Sequence, residues 1–188
     1  MIKKICCILD TCALSFLLEE FDKLDNDNKE RFNIFESIKN EITDFIVPSI
    51  VIHELVLGLQ ENNNIGNDYL KIIINYLKLF FNNKFKTQYL VEDSANEYRN
   101  VFVVNKFNKD KYKHKMDALI VAQASHYASM YSNKNKYDDF WLITEDNKMI
   151  KYIANHIKIY SLEDAKINLG LLKYYEKNNR RRYTIYTK

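Results

Sequence analysis

Apolar residues in this chain gather into short continuous runs, and helix-period stretches separate them. Residues 2–9 read as a buried strand, β-branched and continuous rather than alternating. From Cys12 to Phe21, Leu14, Leu17, Leu18 and Phe21 recur at helical spacing, and a charged turn follows to Asn28. A second helix is predicted over 29–39 with Phe32, Phe35 and Ile38 on one face, then a short strand over 44–47 that Pro48 ends. Ser49 suits the N-cap of a helix carrying Glu54, with Gly58 near its end. A strongly apolar helix spans 69–81, a short extended piece 88–91, and a helix with Ala95, Tyr98, Val101 and Phe102 inward 92–104. A lysine-rich loop runs over 105–115. The clearest helix is 117–131, with Ile120, Val121, Ala124, Tyr127, Ala128 and Tyr131 as its apolar stripe. Strands at 140–143 and 157–160, a short helix at 147–155 and a last helix at 162–174 complete the pattern. Strands alternating with helices predict an α/β fold, a three-layer domain with a central parallel sheet flanked by helices. The domain is expected to span residues 1–165, with 166–188 as a C-terminal helix and basic tail.

Composition agrees with that architecture. The chain has 188 residues, enough for one domain, and 47% of them are hydrophobic. Only 3 Gly and 1 Pro are present, which argues against folds built on many tight turns. Cys6, Cys7 and Cys12 form no paired CxxC set, so buried reduced thiols are expected rather than zinc, and Cys6 and Cys7 should face opposite sides of their strand. No signal peptide and no membrane span are read from the sequence, so the expected location is cytoplasmic.

Net charge is +3, too mild to indicate a nucleic-acid partner by itself. Its distribution says more. Lys111, Lys113 and Lys115 precede Asp117, and Arg180, Arg181 and Arg182 lie near the C-terminus. These six are candidate nucleic-acid contacts. The same clusters suit a solvated loop and a solvated tail equally well. The alternating apolar positions of the tail also suit an added edge strand.

Four acids stand at the edges of apolar segments. Asp10 follows the first strand, Glu54 rides on an apolar helix, Asp117 opens the clearest helix, and Asp146 follows the strand at 140–143. In an open parallel sheet, ligands bind beyond the carboxyl ends of the strands. A helix start also stabilises an anion through its dipole. Converging carboxylates repel one another unless they hold protons or a cation. Oxygen-only ligands favour Mg²⁺ or Mn²⁺ over zinc, and such ions support chemistry on phosphodiesters. Taken singly, each acid is more often a turn, cap or surface residue.

The ordered set resembles the PIN-domain family, and most of all the VapC-type toxins of bacterial toxin–antitoxin pairs. The residues carrying the resemblance are Ile8-Leu9-Asp10-Thr11, the run from Val47 through Glu54 to Gly58, Asp117-Ala118-Leu119-Ile120-Val121-Ala122, and Leu142-Ile143-Thr144-Glu145-Asp146. The resemblance implies a metal-dependent endoribonuclease with an RNA substrate. Asp10, Glu54, Asp117 and Asp146 would be catalytic metal ligands, with Mg²⁺ or Mn²⁺ as cofactor. Thr11 and Thr144 would support them by orienting a carboxylate or substrate, and Glu145 is a second candidate for the fourth position. An antitoxin protein and a homodimer are the implied partners. The alternatives are a PIN nuclease of RNA processing or defence, and a non-catalytic α/β module whose acids hold a metal.

Overall fold

The computed structural model describes residues 3–62, 69–88, 95–106, 112–132, 134, 136–177 and 180–185. Its centre is a five-stranded sheet in the order β3-β2-β1-β4-β5, parallel throughout. The strands are β1 (Ile5–Leu9), β2 (Asp44–Pro48), β3 (Phe85–Gln88), β4 (Asp139–Ile143) and β5 (Lys158–Tyr160). Every residue of β1 is buried, because the strand is central and covered on both faces. That is why it reads as an unbroken apolar run. Pro48 occupies the last position of β2, where a missing N–H costs little.

The chain steps from β1 to β2 to β3, then crosses back to β4 on the far side of β1. Right-handed crossovers therefore place α1 (Asn26–Ile38), α2 (Ser49–Asn62) and α3 (Tyr69–Phe80) on one face. They place α4 (Ala95–Val104) and α5 (Tyr112–Ser132) on the other. Side-chain packing agrees with this assignment. Phe81, just after α3, lies 4.2 Å from Phe45 of β2 and 5.7 Å from Phe35 of α1 between ring centroids. On the opposite face Tyr127 of α5 packs 6.4 Å from Phe140 of β4. Cys7 is paired in register with Phe45, and Cys6 with Phe140, so the two thiols face opposite layers, both fully buried. Among the described residues no helix is long and apolar enough to cross a membrane.

Five expectations change. The helix over Cys12–Phe21 is instead three 3₁₀ turns, Thr11–Ala13, Ser15–Leu18 and Phe21–Lys23. The buried residues there are Ala13, Leu14, Phe16 and Leu17, spaced by three as a 3₁₀ helix requires, while Phe21 is 42% exposed. The charged turn after it is shorter than expected, because Asp25 accepts from the Asn28 N–H at 2.7 Å and caps α1. The lysine-rich loop is shortened from its far end, since α5 begins at Tyr112, and residues 107–111 lie outside the described set. The helix at 147–155 reduces to one 3₁₀ turn, Met149–Lys151.

The fifth change is at the C-terminus. The last helix, α6, covers Leu162–Asn168 only. Gly170 takes a left-handed φ of +73°, and the N–H of Leu171 bonds the Lys166 carbonyl at 3.2 Å. This is a Schellman stop, which favours glycine. The chain then forms β6 (Leu172–Lys177) and β7 (Arg180–Ile185), an antiparallel hairpin. The tail strand thus pairs with β6 and forms a separate two-stranded sheet, rather than extending an edge of the main one.

Candidate active site

The two strands that meet at the reversal of strand order, β1 and β4, both end in acidic segments. This is the point where crossovers diverge to opposite faces and leave a crevice at the carboxyl ends of the strands. Asp10 follows β1, and its N–H still bonds the Ile143 carbonyl of β4 at 3.0 Å. Its carboxylate is 4% exposed and well supplied with donors. Oδ1 accepts from the Thr11 N–H at 2.7 Å. Oδ2 accepts from the Thr144 hydroxyl at 2.7 Å and from the Cys12 thiol at 2.9 Å. Thr144 itself is fully buried.

Glu54 lies in α2 and accepts a hydrogen bond at Oε2 from the Thr11 hydroxyl. Burial raises its pKa above the usual carboxylate range. The Thr11 hydrogen bond opposes this, and the charges of Asp10 and Asp117 add to it. Asp117 is 7% exposed and accepts at Oδ2 from the Tyr152 hydroxyl at 3.1 Å. Burial, the Asp117 charge and hydrogen bond, and then the Asp146 charge all push the Tyr152 phenol upward. Asp146 is half-buried and stands in a tight turn, its N–H donating to Thr144 Oγ1 at 3.1 Å and its Oδ1 accepting from the Lys148 N–H at 2.8 Å. The four acids therefore share one electrostatic neighbourhood, linked through Glu54 and Tyr152.

The opposite rim is built differently. Asp44 opens β2 and meets Lys86 at 2.8 Å and Lys136 at 3.5 Å. Asp139 opens β4 and meets Lys158 at 2.6 Å and Lys3 at 2.8 Å. Burial pulls both carboxylates upward, yet the lysine contacts prevail and both end below their ordinary range. The acids at the N-terminal ends of the strands are matched by cations. Glu54, at the other rim, is pushed up by burial and then by neighbouring acids.

A divalent cation fits the carboxyl-end rim in charge and in donor type, since its acids offer hard oxygen atoms. Among the described residues no three His, Cys, Asp or Glu side chains close into a metal-holding group.

One expectation about Asp117 is corrected. It lies five residues inside α5, which begins at Tyr112, so the field of the helix start does not reach it. Tyr152 donates to its carboxyl group instead. Glu145, the second candidate for the fourth position, is turned away: Oε1 accepts from the Leu162 N–H at 2.8 Å and Oε2 pairs with Arg31 at 3.2 Å. Lys115 is exposed on α5, the side chain of Lys113 falls outside the description, and Lys111 lies outside the described residues. Arg180, Arg181 and Arg182 form the start of β7.

Two further residues at this rim, Cys12 and Tyr152, belong to no sequence motif. Cys12 lies in the 3₁₀ turn after Asp10, with its sulfur 2.9 Å from Asp10 Oδ2 and 3.2 Å from Thr144 Oγ1, and it accepts from the Glu145 N–H at 3.3 Å. Burial, followed by the Asp10 charge, pushes its thiol up to about 12, so it is protonated at neutral pH and donates to Asp10. Its place two residues after Asp10 was the available clue. Tyr152 meets Asp117 from 35 residues away, and no local pattern announces it.

Glu54 yields a pH prediction. Its folded pKa is raised, so the stability it contributes is fully present at acid pH and is lost as pH rises through the raised value. Glu54→Gln stays neutral and keeps an acceptor for Thr11. The melting temperature of the variant is expected to exceed that of wild type at neutral pH, the gap closing toward about pH 4. A gap that stays constant across a calorimetric pH series rules out this electrostatic origin.

No family model and no curated protein sequence matches the chain. Solved structures do resemble it. FitAB bound to the IR36 DNA fragment matches at 14% identity and TM-score 0.49, over 83% of this chain and 94% of that one. VapBC2 from Rickettsia felis, bound to a DNA fragment from its promoter, matches at 12% identity and TM-score 0.46, over 83% and 98%. The T. brucei RRP44 PIN domain matches at 15% identity and TM-score 0.46, over 88% and 78%. The chain is similar to these structures, the T. brucei RRP44 PIN domain among them, and its own strands form a parallel sheet between two helical layers.

Proposed function

We propose that this protein is a divalent-metal-dependent endoribonuclease and the toxin of a toxin–antitoxin pair. The observation that carries the reading is the placement of Asp10 and Asp146 at the carboxyl ends of β1 and β4, with Glu54 coupled to Asp10 and Asp117 across the same crevice. Asp10, Glu54, Asp117 and Asp146 would hold Mg²⁺ or Mn²⁺, directly or through water. The ion would supply positive charge against the phosphodiester and acidify a water. The chain's own residues fix the carboxylates. Thr144 and Cys12 hold Asp10 at Oδ2, Thr11 holds Glu54 at Oε2, and Tyr152 holds Asp117 at Oδ2. Such support keeps anionic groups in one rotamer before the substrate arrives. Hydrolysis would join the water's oxygen to phosphorus and break one P–O bond, the water giving a proton to a rim carboxylate or to solvent and the departing ribose oxygen taking one up from solvent.

The ordered motifs support the toxin reading, with an antitoxin protein and a second copy of the chain as partners in the cytoplasm. The test is incubation of purified protein with labelled RNA and single-stranded DNA, in Mn²⁺ or in EDTA. RNA cleavage that requires Mn²⁺ is the expected result. Cleavage in EDTA, or no cleavage of either polymer, overturns it.

A further inference from the structure

From Tyr152 to the start of β5 at Lys158 the chain belongs to no helix or strand. Tyr152 closes the 3₁₀ turn before it, its N–H donating to the Met149 carbonyl at 2.9 Å. The next residue, Ile153, is 64% exposed, so the core does not hold it. A side chain does. The Ile153 N–H donates to Asn105 Oδ1 at 2.7 Å, and Asn105 Nδ2 donates back to the Ile153 carbonyl at 2.9 Å. The amide thus pairs with both backbone groups of one residue, as a neighbouring antiparallel strand would.

Asn105 is fixed in turn. It directly follows α4, and its N–H and its Nδ2 both donate to the Val101 carbonyl, at 3.1 and 2.9 Å. Both amide hydrogens and the amide oxygen therefore have partners. A flipped amide would set its oxygen against two carbonyls, so one orientation is selected. Three elements meet through this side chain. α4 carries it, the β4–β5 connection carries Tyr152, and α5 carries Asp117, which accepts from the Tyr152 hydroxyl at 3.1 Å.

We infer that Asn105 is a positioning residue for the acidic rim: it fixes Ile153, and so keeps the Tyr152 hydroxyl against Asp117. A side chain that orients a ligand from a distance matters because small displacements at a metal or reacting centre are costly. The consequence for a bound ion rests on the nuclease reading. The link from Asn105 to Tyr152 does not.

The test is a double-mutant cycle on the full chain, read by Mn²⁺ calorimetry without nucleic acid and by RNA cleavage in Mn²⁺. Asn105→Ala is expected to fold, since water can replace the amide at the exposed Ile153 backbone, and a melting curve checks this. It should weaken Mn²⁺ binding about 3-fold or more, and Tyr152→Phe about 10-fold. Adding Asn105→Ala to Tyr152→Phe should then change affinity by less than about 2-fold, because the hydroxyl it positions is gone. Ser125→Ala controls for general loosening of the segment. The Ser125 hydroxyl donates to the Asn155 carbonyl at 2.6 Å, two residues beyond Ile153. Its removal should leave Mn²⁺ affinity within about 2-fold. A fluorine on the Tyr152 ring beside the hydroxyl gives a reading without metal. Its ¹⁹F resonance should shift in Asn105→Ala and stay in place in Ser125→Ala. Full additivity of Asn105→Ala with Tyr152→Phe, an equal loss from Ser125→Ala, or an unmoved fluorine signal in Asn105→Ala overturns the inference. A fluorine shift specific to Asn105→Ala, in a protein whose wild type neither binds Mn²⁺ nor cleaves RNA, removes the nuclease reading and leaves the positioning. Mn²⁺-dependent cleavage that Asn105→Ala leaves at the wild-type rate, with the fluorine signal unmoved, does the reverse.

Discussion

Asp117→Asn is expected to lower Mn²⁺-dependent RNA cleavage by about 10³-fold, roughly 4 kcal/mol of transition-state stabilisation, without lowering the melting temperature. The two halves of this expectation have separate causes. Asn is nearly isosteric with Asp and retains an oxygen for the Tyr152 hydroxyl, so the buried contact survives. It also removes one of the two negative charges that, after burial, hold Glu54 above the usual carboxylate range. Functional sites store such repulsion, and relieving it leaves stability level or higher. Cleavage is lost because a neutral amide neither binds nor orients a hard cation as a carboxylate does. Single-turnover cleavage and calorimetry on the same preparation check both halves. An Asn variant that cleaves at the wild-type rate removes Asp117 from the site.

Asp10→Ala is expected to abolish cleavage as well, and in addition to destabilise the fold by ~2–4 kcal/mol in urea denaturation. Asp10 is 4% exposed, and its carboxylate takes hydrogen bonds from the Thr11 N–H, the Cys12 thiol and the Thr144 hydroxyl. Alanine leaves three donors without that acceptor, and the hydroxyl of Thr144 lies where water does not reach. Each unsatisfied buried donor costs about 1–3 kcal/mol, offset in part where the 3₁₀ turn relaxes toward solvent. The contrast with Asp117→Asn is the informative result. Asp10 ties the ends of β1 and β4 together at the reversal of strand order, so it is structural in addition to the metal role proposed for it. Equal stability of Asp10→Ala and wild type contradicts that double role.

The central strands are readable because they are buried on both faces, whereas β3 lies at Phe85–Gln88, ahead of the expected extended piece over 88–91. Ile5–Leu9 and Phe140–Ile143 show unbroken apolar runs, and their ends locate Asp10 and Asp146 without further information. Glu54 was readable through the apolar turn around it. Two misreadings have the same root. The first turn of α5, Tyr112–Lys115, is polar and cationic, so hydrophobic period does not reveal it and points to Asp117 as the helix start. The segment from Cys12 to Phe21 fits a 3.6 period in sequence, although its buried residues follow a period of three. The hairpin was hidden behind a helical pattern running on to Tyr174. Gly170 marked the stop, and its left-handed φ gives the reason. Tyr152 was beyond reach, since a contact across 35 residues leaves no periodic trace.

The central claim is that these four acids hold a divalent cation. It is tested most directly by titrating Mn²⁺ into the wild-type chain and into Asp117→Asn by isothermal calorimetry, in the absence of nucleic acid. The wild type is expected to give a saturable isotherm, weakened about 10-fold or more in the variant. A wild type that gives no saturable heat, or a variant that binds Mn²⁺ as tightly, contradicts the account.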